Sequence, residues 1–226
     1  LMLIYIFLDF LFGFSLRSSL KNCKKFDKIK GYEFLKEIFS QTQEKFNCKG
    51  VKLYIKNSNE INAYATTTFT GAVTATTFNT AATAYNIAIN GGGTISAATA
   101  TTFSNTGTLT LAGTTAFTKG VTAIAPSGIS LNGTVTAANT GVITLGDSDT
   151  GVSVTGNSTV GGTSTGNITL GAASLADNVT LTVGGGAYAA NITLSTVTGT
   201  ANGLSSDFTI NTTGTVSVGT VGTDIG

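Results

Sequence analysis

Between Thr66 and Gly226 one short pattern keeps returning: an apolar residue, a small or hydroxyl residue, then another apolar residue. Ile87-Ala-Ile89, Leu109-Thr-Leu111, Ile129-Ser-Leu131, Ile143-Thr-Leu145, Val152-Ser-Val154, Val179-Thr-Leu181-Thr-Val183, Phe208-Thr-Ile210 and Val216-Ser-Val218 all follow it. Period-two alternation puts every second side chain on the same side of an extended chain, so each stretch reads as a short strand with one buried face. Gly91-Gly92-Gly93, Asn132-Gly133, Gly161-Gly162 and Gly184-Gly185-Gly186 read as the turns between them. The first three stretches open at Ile87, Leu109 and Ile129, after which the spacing shortens and becomes irregular.

Only 10% of the chain is charged, against about 25% in an ordinary globular domain. Low charge together with abundant Thr, Val and Ile favours β structure over disorder. A loose period of about 20 residues, short strands and glycine turns predict a parallel β-solenoid over 66–226. Its apolar side chains would line a common axis and its threonines would face water. A β-sandwich is the alternative. Two short motifs also recur: Thr-Thr-Phe at 67–69, 76–78 and 101–103, and Asn-Ile-Thr-Leu at 167–170 and 191–194.

Residues 1–65 are chemically different. Eleven of the 12 Lys and Arg residues lie at or before Lys56, so residues 1–60 carry +5 and residues 61–226 carry −4. Residues 1–16 are almost wholly apolar apart from Asp9 and read as the tail of a membrane helix, truncated at its start, since such a helix needs about 20 residues. The organisation expected is a membrane-anchor helix over 1–20, an amphipathic helix plus a strand over 21–65, and the Thr/Gly-rich solenoid over 66–226. The helix falls at Gly31–Phe46 and the strand at Val51–Lys56. Arg17, Lys21, Lys24 and Lys25 place that flank in the cytoplasm by the positive-inside rule. Cys23 and Cys48 have no metal-type spacing and read as free thiols.

This order of elements, ending in Asn62-Ala63-Tyr64-Ala65, resembles the N-terminal part of HtpX-like membrane zinc metallopeptidases. The resemblance implies a His-Glu-x-x-His helix immediately downstream. The chain has no histidine, and Glu60 is its last glutamate, so no zinc ligand carries over. Residues 66–226 resemble the β-strand-repeat passengers of bacterial autotransporter and filamentous-haemagglutinin-like adhesins, in rhythm and composition only. That resemblance implies an extended, non-enzymatic rod at the cell surface or secreted, with an outer-membrane barrel beyond it. Its partners would be host or neighbouring cell surfaces, or other copies of itself. The rhythm is unbroken at Gly226, so the chain reads as a fragment cut at both ends.

Without histidine the usual general base, the commonest zinc ligand and the Ser-His-Asp arrangement are all missing. Asp147 and Asp149 in Gly146–Gly151 could face Ca²⁺, but the segment lacks a repeated calcium consensus and reads as a solvated turn. The glycine triplets lack the Lys-Ser/Thr ending of a phosphate loop. Asn132, Asn157, Asn167, Asn178, Asn191 and Asn211 begin glycosylation sequons that chance explains in an Asn- and Thr-rich chain. A carbohydrate-active β-helix working through Asp147, Asp149, Asp177, Asp207 or Asp224 is a further reading. Lys119 alone cannot neutralise a phosphate backbone, so nucleic acid is not an expected partner of the solenoid. No catalytic residue, metal ligand or cofactor is expected. A cytoplasmic flank and an external adhesin conflict, so the chain reads as a composite joined near Ala65–Thr67 by fusion or by faulty sequence assembly.

Overall fold

The computed structural model describes residues 66–201 and 203–226. The chain divides into two units, Leu1–Ile61 and Asn62–Gly226, and the described residues belong to the second. The expected membrane helix over 1–16, the helix over 31–46, the strand over 51–56, both cysteines and the Asn62–Ala65 motif lie outside them.

The described residues form a parallel β-solenoid of about seven turns, all strand, with no helix. Each turn crosses three faces. The first holds β1 (Thr66–Phe69), β3 (Asn86–Ile89), the opening residues of β6 (Thr108–Phe117) and β8 (Gly128–Ala137), β10 (Val152–Val154), β13 (Ala173–Leu175), and the closing residues of β15 (Ile192–Thr198) and β17 (Val216–Val221). The second holds β2 (Val73–Ala75), β4 (Gly93–Ile95), the later parts of β6 and β8, β11 (Ser158–Gly162), β14 (Thr180–Val183) and β16 (Asp207–Ile210). The third holds β5 (Thr101–Thr102), β7 (Gly120–Ala123), β9 (Val142–Leu145), β12 (Ile168–Leu170) and the opening residues of β15 and β17. Every pairing between these strands is parallel, which rules out the antiparallel sandwich.

The apparent irregularity of the sequence period comes from mixing faces. Ile87, Leu109, Ile129 and Val152 pair in series on the first face, whereas Ile143 belongs to the third, opposite Val121 and Ile168. Counted along one face the turn does not shorten. Early on the first face Leu109 pairs with Ile129, and late on it Val197 pairs with Val221, which is the longer step. Two expected turns are also corrected. Asn132-Gly133 lies inside β8 and Gly161-Gly162 closes β11. β8 runs unbroken from the first face to the second, and Gly133, with a φ of 150°, is where it bends. A Cβ there would overlap the carbonyl of Gly113, the glycine paired with it one turn earlier.

Inward residues stack on their counterparts in adjacent turns, as in Ile89, Leu111, Leu131, Val154 and Leu175 on the first face, all buried. The third face stacks Ile143, Ile168 and Ile192. Such stacking removes apolar surface from water at about 25 cal/mol per Å². The Thr-Thr-Phe motifs end in one aromatic row. Phe69 lies 5.9 Å from Phe78, Phe78 lies 5.6 Å from Phe103, and Phe103 lies 6.0 Å from Phe117, ring centre to ring centre. These tilted and edge-to-face contacts lie in the early turns.

Candidate functional site: the uncharged outward faces

Alternation that sends Ile and Leu inward sends hydroxyls outward, and the parallel register lines them up. On the third face Thr102, Thr122, Thr144, Thr169, Thr193 and Ser217 occupy equivalent positions in six consecutive turns. The second face carries Thr114, Thr134, Thr159, Thr182 and Thr209 in the same way. On the first face Thr110, Ser130, Ser153 and Ser174 follow one another. Neighbouring strands lie about 4.8 Å apart, so each column is a row of hydroxyls at that spacing. Among the described residues, the hydroxyls of the second- and third-face columns take no protein partner and face solvent. The β-branched threonines hold χ1 stiffly, so the rows are pre-ordered. The Asn-Ile-Thr-Leu repeat is one piece of this order: its Ile-Thr-Leu segments pair residue for residue between β12 and β15.

Charge is kept to the edges. Lys119 sits between β6 and β7, Asp147 and Asp149 between β9 and β10, Asp177 between β13 and β14, and Asp224 after β17. Asp207 opens β16, where it pairs with Thr180. Among the described residues no aspartate stands in register with another. Asp147 is engaged locally, its Oδ1 accepting the N–H groups of Asp149 and Thr150 at 2.9 Å each. That is an Asx turn, the role expected of a solvated loop. The triplet Gly91–Gly93 leads into β4 and Gly184–Gly186 follows β14, both as turns. Among the described residues no group of three or more His, Cys, Asp or Glu could hold a metal, and no helix is long and apolar enough to cross a membrane.

Several asparagines have a structural role that sequence reading missed. Asn86 Oδ1 accepts from the Thr108 N–H at 2.8 Å, Asn157 Oδ1 from that of Thr180 at 2.9 Å, and Asn191 Oδ1 from that of Thr215 at 3.0 Å. In each case a side chain ties one turn to the next. Hydroxyls do the same at corners: Ser164 donates to the Gly141 carbonyl at 2.7 Å and Thr212 to that of Ala190 at 2.6 Å. The only signal in the sequence was an Asn, Ser or Thr at, or a few residues before, the start of a strand.

Comparison of the chain with family models, curated proteins and solved structures gives no match.

Proposed function

We propose that residues 66–226 are a non-enzymatic contact segment of adhesin or passenger type, displayed at a cell surface or secreted. The observation that carries the reading is the outward chemistry. Equivalent hydroxyls repeat turn after turn, and the carboxylates are dispersed over loops and the start of β16 rather than gathered in a cleft. A surface of that kind suits distributed contact, because each turn adds a further weak interaction of the same type and many together give avidity. Its partners are host or neighbouring cell surfaces, or further copies of the same segment. Residues 1–16 would attach the protein to a membrane.

Beads coated with the purified full chain test this reading. Adhesion to cells or clustering of the beads, above that of albumin-coated beads, is expected. Bare-bead behaviour, or release of reducing sugar from polysaccharides that an aspartate substitution abolishes, would overturn it. Whether both segments form one protein is tested separately by trypsin, which releases 57–119 as a single peptide. Its detection in source cells is the expected result for one continuous protein. Detection of flanking peptides without it would leave the adhesive reading to the solenoid alone.

A further inference from the structure

We infer that a trench on the first face binds a segment of an uncharged polysaccharide lying along the solenoid axis. The inference rests on the adhesive reading and names the chemistry that it would recognise. The trench has a volume of about 460 Å³ and crosses four turns, from β6 to β13. One side is the hydroxyl row Thr110, Ser130, Ser153 and Ser174. The floor is Gly128, Gly151 and Ala172, which hold the adjacent outward position. Thr108 fills that position in the turn before and borders the depression at that end.

The backbone does not require glycine at two of these floor positions. Neither Gly128 nor Gly151 has a positive φ. A Cβ on Gly128 would meet nothing within 4 Å, and one on Gly151 would touch only the Ala172 carbonyl at 3.5 Å. At Gly93, Gly133 and Gly184, by contrast, a Cβ would overlap a neighbouring carbonyl. Small residues at 128 and 151 therefore keep a space open that folding would allow to be filled.

The lining selects the ligand class. No charged residue borders the trench, so an ionic ligand would lose water without gaining a counter-charge. The strands beneath are paired on both sides, so no free backbone edge exists there for an added peptide strand. Hydroxyls that both donate and accept, set beside a floor of C–H groups, match a sugar chain, which presents hydroxyls at its rim and C–H groups on its ring faces. The turn-by-turn repeat matches a polymer better than a single small molecule.

The test uses the full chain in native gels cast with dextran, mannan, amylose or laminarin, compared with a polymer-free gel. Retardation by at least one polymer is expected. Gly128→Thr with Gly151→Thr fills the floor and should weaken that retardation at least ten-fold without lowering the melting temperature. Ser130→Ala with Ser153→Ala, which removes hydroxyls without adding bulk, should weaken it as well. Lys119→Gln, exposed between β6 and β7 and outside the trench, should leave it within two-fold. No retardation by any of the four, or retardation unchanged in both double variants, would overturn the inference. Beads that still adhere in that case leave the adhesive reading standing. Retardation that the trench variants abolish, with beads that never adhere, supports the trench and removes the adhesive reading.

Discussion

Two buried side chains show how the interior tolerates polarity. Thr115 is 1% exposed, stacks between Gly93 and Val135, and its Oγ1 has no partner. Valine has nearly the same shape and leaves no unpaired hydroxyl, so Thr115→Val should raise stability by about 1 kcal/mol. A higher urea midpoint at unchanged slope is the expected readout. Tyr85 is buried, and its hydroxyl accepts the Ala81 N–H at 3.0 Å. Burial pushes its pKa above the ordinary value of 10.0, opposed by hydrogen bonds from Ala81 and Thr80. The unfolded chain then ionises first as pH rises. Tyr85 thus contributes its full stability below about pH 10 and loses it progressively above. Urea midpoints at pH 9 and 11 should diverge more for the wild type than for Tyr85→Phe. Alternation told which residues point inward, but Asn105 escaped it. Its Nδ2 donates to the carbonyls of Tyr85, Gly107 and Thr108 at 3.1, 3.4 and 3.3 Å, from a fully buried corner that sequence spacing does not mark.

At the scale of elements, glycines divide into those that shape strands and those that do not. Gly133 allows β8 to bend between two faces, and alanine there would collide with the Gly113 carbonyl while keeping a φ of 150°. Gly133→Ala should cost about 1–3 kcal/mol. Gly128→Ala, in the same strand, should change stability by no more than about 0.5 kcal/mol. Chemical denaturation of the two variants side by side measures the contrast. The same pair explains a misread boundary. A glycine in an extended φ < 0 segment and a glycine at a bend look identical in sequence, and Asn132-Gly133 carries the usual dipeptide of a turn. The strand cores themselves were legible, because Ile129-Ser-Leu131 and Ile143-Thr-Leu145 display the period that places them in β8 and β9.

Across the whole solenoid, each turn touches only its neighbours, so stability is a sum of near-identical units and their contacts. Central turns are covered on both sides. Leu131 is 1% exposed between Leu111 and Val154, whereas Val216 and Val221 on β17 are 47% and 50% exposed. Leu131→Ala should therefore cost about 2–5 kcal/mol, and Val221→Ala less than about 1 kcal/mol. Amide exchange should follow the same gradient, slowest in β8 and fastest in β17. Uniform exchange along the solenoid would contradict a chain of neighbour-coupled turns.

Residue order by itself determined that the strand cores would bury one side and carry mainly hydroxyls on the other. That much follows from local chemistry, since alternation of Ile or Leu with Thr separates a buried side from a wet one within a few positions. Which of three faces a strand joins depends on partners a whole turn away, as when Leu109 meets Ile129 or Thr180 meets Asp207, and no local pattern encodes that distance. Register therefore belonged to the tertiary structure. Only register makes columns out of scattered threonines and a trench out of Gly128, Gly151 and Ala172, while the four phenylalanines meet in the interior from different segments. The physical reason is that parallel stacking is satisfied only when inward side chains of successive turns meet, and every outward neighbour relation follows from where that packing sets the next turn.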